Sequence, residues 1–257
     1  MCTLVRVHYS LSFLKSFLDG ICCWDWLISF RTEYRLIWKA NWTPIKFVYT
    51  FCRYWVILIT PYVLWCFCVD HSLSTCQRVY RSPVILAMWN QLSAECILLI
   101  RTYAFFGRDK RLLAVLCAML LGVTVYQLYV GVNRMLPLPF VSGNEGPCFP
   151  MSIPGQADIL GFFVAPFCFD TLITVATLGK AFSMRRRNGP SSRLVTLFLR
   201  EGIFYFILIS IANLVNGAFY FQPKADMSAI MIPLSVLLSP LLACRLVRLL
   251  IIATRPR

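Results

Sequence analysis

Leu112–Val132 reads LLAVLCAMLLGVTVYQLYVGV, a run without a single charged side chain. An α-helix rises about 1.5 Å per residue, so about 20 apolar residues cross the roughly 30 Å hydrocarbon core of a bilayer. The run therefore predicts a transmembrane helix. Working outward from it, the same requirement is met at residues 48–69, 83–105, 157–182, 202–222 and 228–252, each of which carries one or more ionisable residues. Proline inside four of these positions (Pro61, Pro166, Pro233 and Pro240) is tolerated in a membrane, where neighbouring groups satisfy the freed carbonyl.

A seventh span is expected at residues 9–30, where Lys15, Asp19 and Asp25 interrupt an otherwise apolar stretch. Charges at a helix centre cost about 2.5–3.5 kcal/mol each on insertion scales. Lys15 and Asp19 stand at helical spacing and can neutralise each other, which favours a span over an interfacial amphipathic helix. The stretch lacks the uninterrupted apolar core and small-residue cleavage site of a cleaved leader. The expected fold is thus an all-α membrane protein, one domain over residues 1–257, built as a bundle of seven transmembrane helices.

Composition agrees. Hydrophobic residues make up 59% of the 257, against 25 Lys and Arg and 11 Asp and Glu, more apolar surface than a soluble domain of this length buries. The net charge of +14 does not indicate nucleic acid, because the basic residues sit between apolar runs and not as a solvated stripe on a folded domain. Residues 29–47, 101–111, 180–200 and 245–257 hold four, four, six and four basic residues, whereas the loops on the other side hold six in all. The positive-inside rule puts the first set in the cytosol, with the N-terminus outside and the C-terminus cytosolic. Arg53 and Arg245 then fall near cytosolic helix ends, where they are expected to snorkel.

Cysteine is abundant, at 12 residues, and Cys52, Cys96, Cys117, Cys168 and Cys244 read as small hydrophobes within apolar runs. Cys76 and Cys148 differ, since both fall in outer loops, and an oxidising exterior favours a disulfide between them. Glu95 and Asp170 stand near the middle of their spans with no Lys or Arg at the same depth. Intramembrane acids mark ion, amine or proton sites, with Asn90, Gln91, Asn213 and Asn216 as polar walls, or else serve as protonated hydrogen-bonding glue between helices.

Several enzyme classes are disfavoured. Two histidines, His8 and His71, do not make an intramembrane zinc centre, and the last span holds no Lys for a retinal Schiff base. No phosphate-cradling glycine loop or nucleophile elbow appears. A non-enzyme without cofactor or metal is expected. The sequon Asn41-Trp42-Thr43 falls on the cytosolic side with Pro44 following, so it is expected to stay unmodified. Arg185–Arg187 with Arg193 reads as a positive-inside signal before it reads as a phosphoinositide site.

The order Trp24-Asp25-Trp26-Leu27-Ile28, Glu33-Tyr34-Arg35-Leu36-Ile37-Trp38-Lys39, Trp42 and Cys52-Arg53-Tyr54 carries a resemblance, continued by Glu95–Ala104 with Gly107-Arg108, Arg200–Phe206 and the close Leu242-Ala243-Cys244-Arg245-Leu246. It resembles a family of uncharacterised basidiomycete membrane proteins with an N-terminal domain of unknown function of the DUF6533 type, here residues 22–70. The resemblance implies a fungal seven-helix membrane protein and carries no established function. Members enter this domain through a smooth apolar first helix, from which residues 1–23 depart; a misassigned first exon would account for that.

Two functional readings follow. The seven spans, outer disulfide and basic cytosolic loops match the plan of a receptor, with a cytosolic partner at loops 101–111 and 180–200 and the plasma membrane as the default location. Ile100-Arg101-Thr102-Tyr103 lacks the acid-Arg-Tyr triplet of rhodopsin-like receptors, and the last span has no Asn-Pro-x-x-Tyr. The alternative is a small transporter or channel using Glu95 and Asp170, although inverted repeats are not evident. A scaffold or non-functional paralogue is the third.

Overall fold

The computed structural model describes residues 20, 24–39, 41–137, 139–140, 145–153, 158–188, 204, 207, 208, 211, 240–245 and 247–248. The spans expected at 202–222 and 228–252 lie mostly outside these residues, as do positions 9–19 of the first; residues 24–30, 204, 207, 208, 211 and 240–245 are helical where described.

Helix α1, residues 24–33, runs directly into a π-helical turn at Tyr34–Trp38. Thr43 caps the next helix, its hydroxyl accepting from Lys46 N at 3.2 Å, and Pro44 occupies the first turn, where a missing N–H costs nothing. This helix, α2, spans Pro44–Cys68. A short α3, Leu73–Val79, precedes α4, Ser82–Phe105. Gly107 and Arg108 both adopt positive φ, ending α4, and Asp109 caps α5, Lys110–Asn133, by accepting from Arg111 N at 2.9 Å. Helix α6 runs Asp158–Asn188, past the expected end at 182.

Four helical stretches are long and apolar enough to cross a membrane: Pro44–Cys68, Leu73–Phe105, Lys110–Asn133 and Asp158–Met184. α4 is central, packing against α2, α5 and α6. α5 is peripheral and leaves Val115, Leu121, Val125, Leu128 and Tyr129 exposed, an apolar exterior suited to lipid. Pro166 in α6 lacks the N–H that would bond the Phe162 carbonyl one turn back; Gln127 of α5 donates to that carbonyl at 3.2 Å. Gly161 lets the two helices approach, because the Tyr126 hydroxyl fills the space a β-carbon would need.

The all-α expectation omitted two small antiparallel pairs. Strand β1 (His71–Ser72) pairs with β3 (Glu145–Gly146), and β2 (Met135–Pro137) pairs with β4 (Pro150–Ser152). They fold the α5–α6 loop over one end of the bundle. Strands this short are held by neighbours: Tyr80 donates to Met135 O at 3.0 Å, and Cys148 N donates to Cys66 O at 3.0 Å. Beneath them Phe67, Met88, Val130, Phe149 and Phe162 form one apolar cluster.

Candidate functional site

Three groups of side chains bear on function. The first is at the capped end, where a disulfide joins Cys76 of α3 to Cys148, with Cα atoms 5.2 Å apart. The bond ties the loop carrying β2–β4 to the start of the α3–α4 stretch. It closes a loop of 72 residues, for which chain-entropy arguments give about 4 kcal/mol of stabilisation.

The second is the pair of acids. Glu95 on α4 and Asp170 on α6 are 3% and 8% exposed and close enough to interact electrostatically. Gln91 donates to Glu95 Oε1 at 3.4 Å, a long bond. Asn90, five residues before Glu95 on α4, is fully buried, whereas Asn213 and Asn216 lie outside the described residues. Gln91 also lines a cavity of about 10 Å3 with Met88, Met135, Phe162 and Phe163, enough for about one water. Two like charges this deeply buried cannot both be ionised cheaply, so the two acids constrain each other's charge.

The third was not foreseen. Arg53 does not snorkel to a helix end; it is 7% exposed and paired. Its Nε lies 2.5 Å from Glu33 Oε2 and its Nη1 3.4 Å from Asp25 Oδ2, both acids on α1. Asp25 also accepts from Arg245 Nε at 2.8 Å and from Arg248 Nη2 at 3.0 Å, both on the last helical segment. Arg245, expected to snorkel, keeps 47% of its side chain exposed while bonded to Asp25. Tyr54 donates to Glu33 Oε1 at 3.1 Å and Arg53 to Trp26 O at 3.5 Å. The result is an ionic clasp of two acids and three arginines drawn from three helical segments.

The clasp inverts the usual polarity of a helix. α1 buries Asp25, Ser29 and Glu33 and exposes Trp24, Leu27, Ile28 and Phe30, and the π-helical turn that follows exposes Tyr34 and Trp38. A helix lying on a membrane surface shows charge to water on its exposed side; the exposed side of α1 is apolar and aromatic from Trp24 to Phe30, with Arg31, and Arg35 and Lys39 beyond it, exposed toward its C-terminal end. Asp25, which counted against a first span, is a buried ion-pair partner. The available signal was the helical spacing of Asp25, Ser29 and Glu33, four residues apart, which puts them on one face.

A search of curated proteins finds no match. Asp25, Glu33, Arg53 and Tyr54 all fall within residues 21–58, the segment that matches the family model described as Family of unknown function (DUF6533).

Proposed function

We propose that this chain is a seven-helix membrane protein of receptor-like plan, with its N-terminus outside, its C-terminus cytosolic and no catalytic activity of its own. The observation that carries the reading is the Cys76–Cys148 bond, which holds a strand-paired loop across the end of the bundle. That end is the outer one by the distribution of basic residues. A covered outer end suits capture of an external signal, while the basic residues of 101–111 and 180–200 suit a cytosolic partner. The lipid-facing exterior of α1 supports counting the first segment as a span. The resemblance of the chain to fungal seven-helix proteins points the same way, with the plasma membrane as the proposed location.

The adjacency of Glu95 and Asp170 favours a second reading, a carrier or channel for protons or small cations. Two assays on the full chain separate them. One measures proton flux into liposomes containing the purified protein and a trapped pH-sensitive dye; the other measures proximity labelling of cytosolic proteins from loops 101–111 and 180–200, with and without charge reversal of their Arg and Lys. Labelling that charge reversal abolishes, without flux, supports the receptor-like reading. Flux that Glu95→Gln abolishes overturns it in favour of transport.

A further inference from the structure

Cys52 of α2 and Cys244 of the last helical segment are both buried, and their thiols stand in hydrogen-bond contact. The Cys52 thiol also donates to Pro240 O at 3.9 Å. Apolar neighbours Tyr49, Ala94, Ile97 and Val247 surround the pair. Both thiols are closed to bulk solvent, at 0% and 1% exposure, and both line a cavity of about 30 Å3 shared with Asp25, Trp26 and Arg53. A cavity of about 10–15 Å3 already admits one water, so this one has room for a small peroxide.

We infer that Cys52 and Cys244 form a peroxide-oxidisable thiol pair, closing to a disulfide that staples α2 to the last helix beside the ionic clasp. One thiol gives up its proton, and the thiolate attacks an oxygen of hydrogen peroxide; the O–O bond breaks, hydroxide leaves and takes up the released proton, and the products are a sulfenic acid and water. The second sulfur attacks the sulfenic sulfur, the S–O bond breaks, and a second water leaves. Two thiols and one peroxide thus give one disulfide and two waters, two electrons passing from sulfur to peroxide. A small reducing thiol reverses the bond by exchange through the same cavity. The Arg53 guanidinium on the cavity wall lowers the cost of negative charge on the attacking sulfur. The inference does not depend on the receptor-like reading, since it needs only the contact between two helices.

The sequence makes the test clean: Cys244 is the only cysteine beyond Cys168. A specific protease site inserted after Asn188 splits the chain into two fragments, and a disulfide between them must use Cys244. The purified full-length protein is treated with hydrogen peroxide in lipid nanodiscs, cleaved and run on a non-reducing gel. The fragments are expected to migrate together after peroxide and separate after dithiothreitol, with the co-migrating fraction falling about tenfold or more in Cys52→Ser. Peptide mapping of the oxidised unaltered chain checks the partner independently of how that variant folds, and a Cys52–Cys244 linked peptide is expected. Fragments that separate after peroxide, or a linked peptide joining Cys244 to another cysteine, overturn the inference.

Discussion

Replacing Asp25 by Asn keeps its shape and removes the charge that three guanidinium groups share. Arg53 retains Glu33 at 2.5 Å, and Arg245, half-exposed, regains water. Arg248 loses most: its side chain is 12% exposed and its Nη2 bonds both Asp25 oxygens, at 3.3 and 3.0 Å. Breaking a buried ion pair from one side costs about 3–5 kcal/mol, chiefly because a desolvated charge is stranded. With one arginine stranded and partly open to solvent, Asp25→Asn is expected to cost about 3 kcal/mol. The assay is equilibrium unfolding of the purified protein in mixed micelles by dodecyl sulfate, followed by tryptophan fluorescence. Arg248→Gln in the Asp25→Asn background removes the stranded charge and is expected to restore at least half of the loss, so the two changes are far from additive. A cost below about 1 kcal/mol for Asp25→Asn, or simple additivity in the double variant, would refute the clasp as a source of stability.

Further outcomes follow from the other sites. Cys76→Ser and Cys148→Ser are each expected to lower stability by about 4 kcal/mol and to abolish the mobility shift between reducing and non-reducing gels, equally in both variants. Gly161→Ala is expected to cost about 1 kcal/mol by pushing the Tyr126 hydroxyl aside, and Tyr126→Ala in that background should remove the effect on a thermal-unfolding assay. Gln127→Leu orphans the Phe162 carbonyl and is expected to cost about 1–3 kcal/mol in the same assay. Asn41 is expected to carry no glycan, which an unchanged gel position after endoglycosidase checks.

The four long helices were legible because a bilayer imposes length and apolarity on each span separately, and Leu112–Val132 needs no knowledge of its neighbours. The disulfide was legible because topology alone put Cys76 and Cys148 on one side. The clasp was not. Asp25 and Arg245 are 220 residues apart, and hydropathy registers each as a penalty without indicating that one neutralises the other. Counting basic residues assigned Arg245 and Arg248 to topology, a role compatible with pairing but silent about it. The short strands escaped notice because two or three residues are too few to show an alternating pattern. The contact between Cys52 and Cys244 has no signature in sequence, since a packed thiol and a paired thiol occupy the same kind of apolar run.

The central claim is the seven-helix plan with an outer N-terminus, and glycosylation mapping tests it most directly. One acceptor site is inserted near Leu4 and another near Ser142, in the loop between α5 and α6, each in the full chain expressed in microsomes. The account predicts that both acceptors are modified. Modification at Ser142 alone would contradict it, leaving a cytosolic N-terminus, six spans and an α1 that does not belong to a membrane-crossing helix.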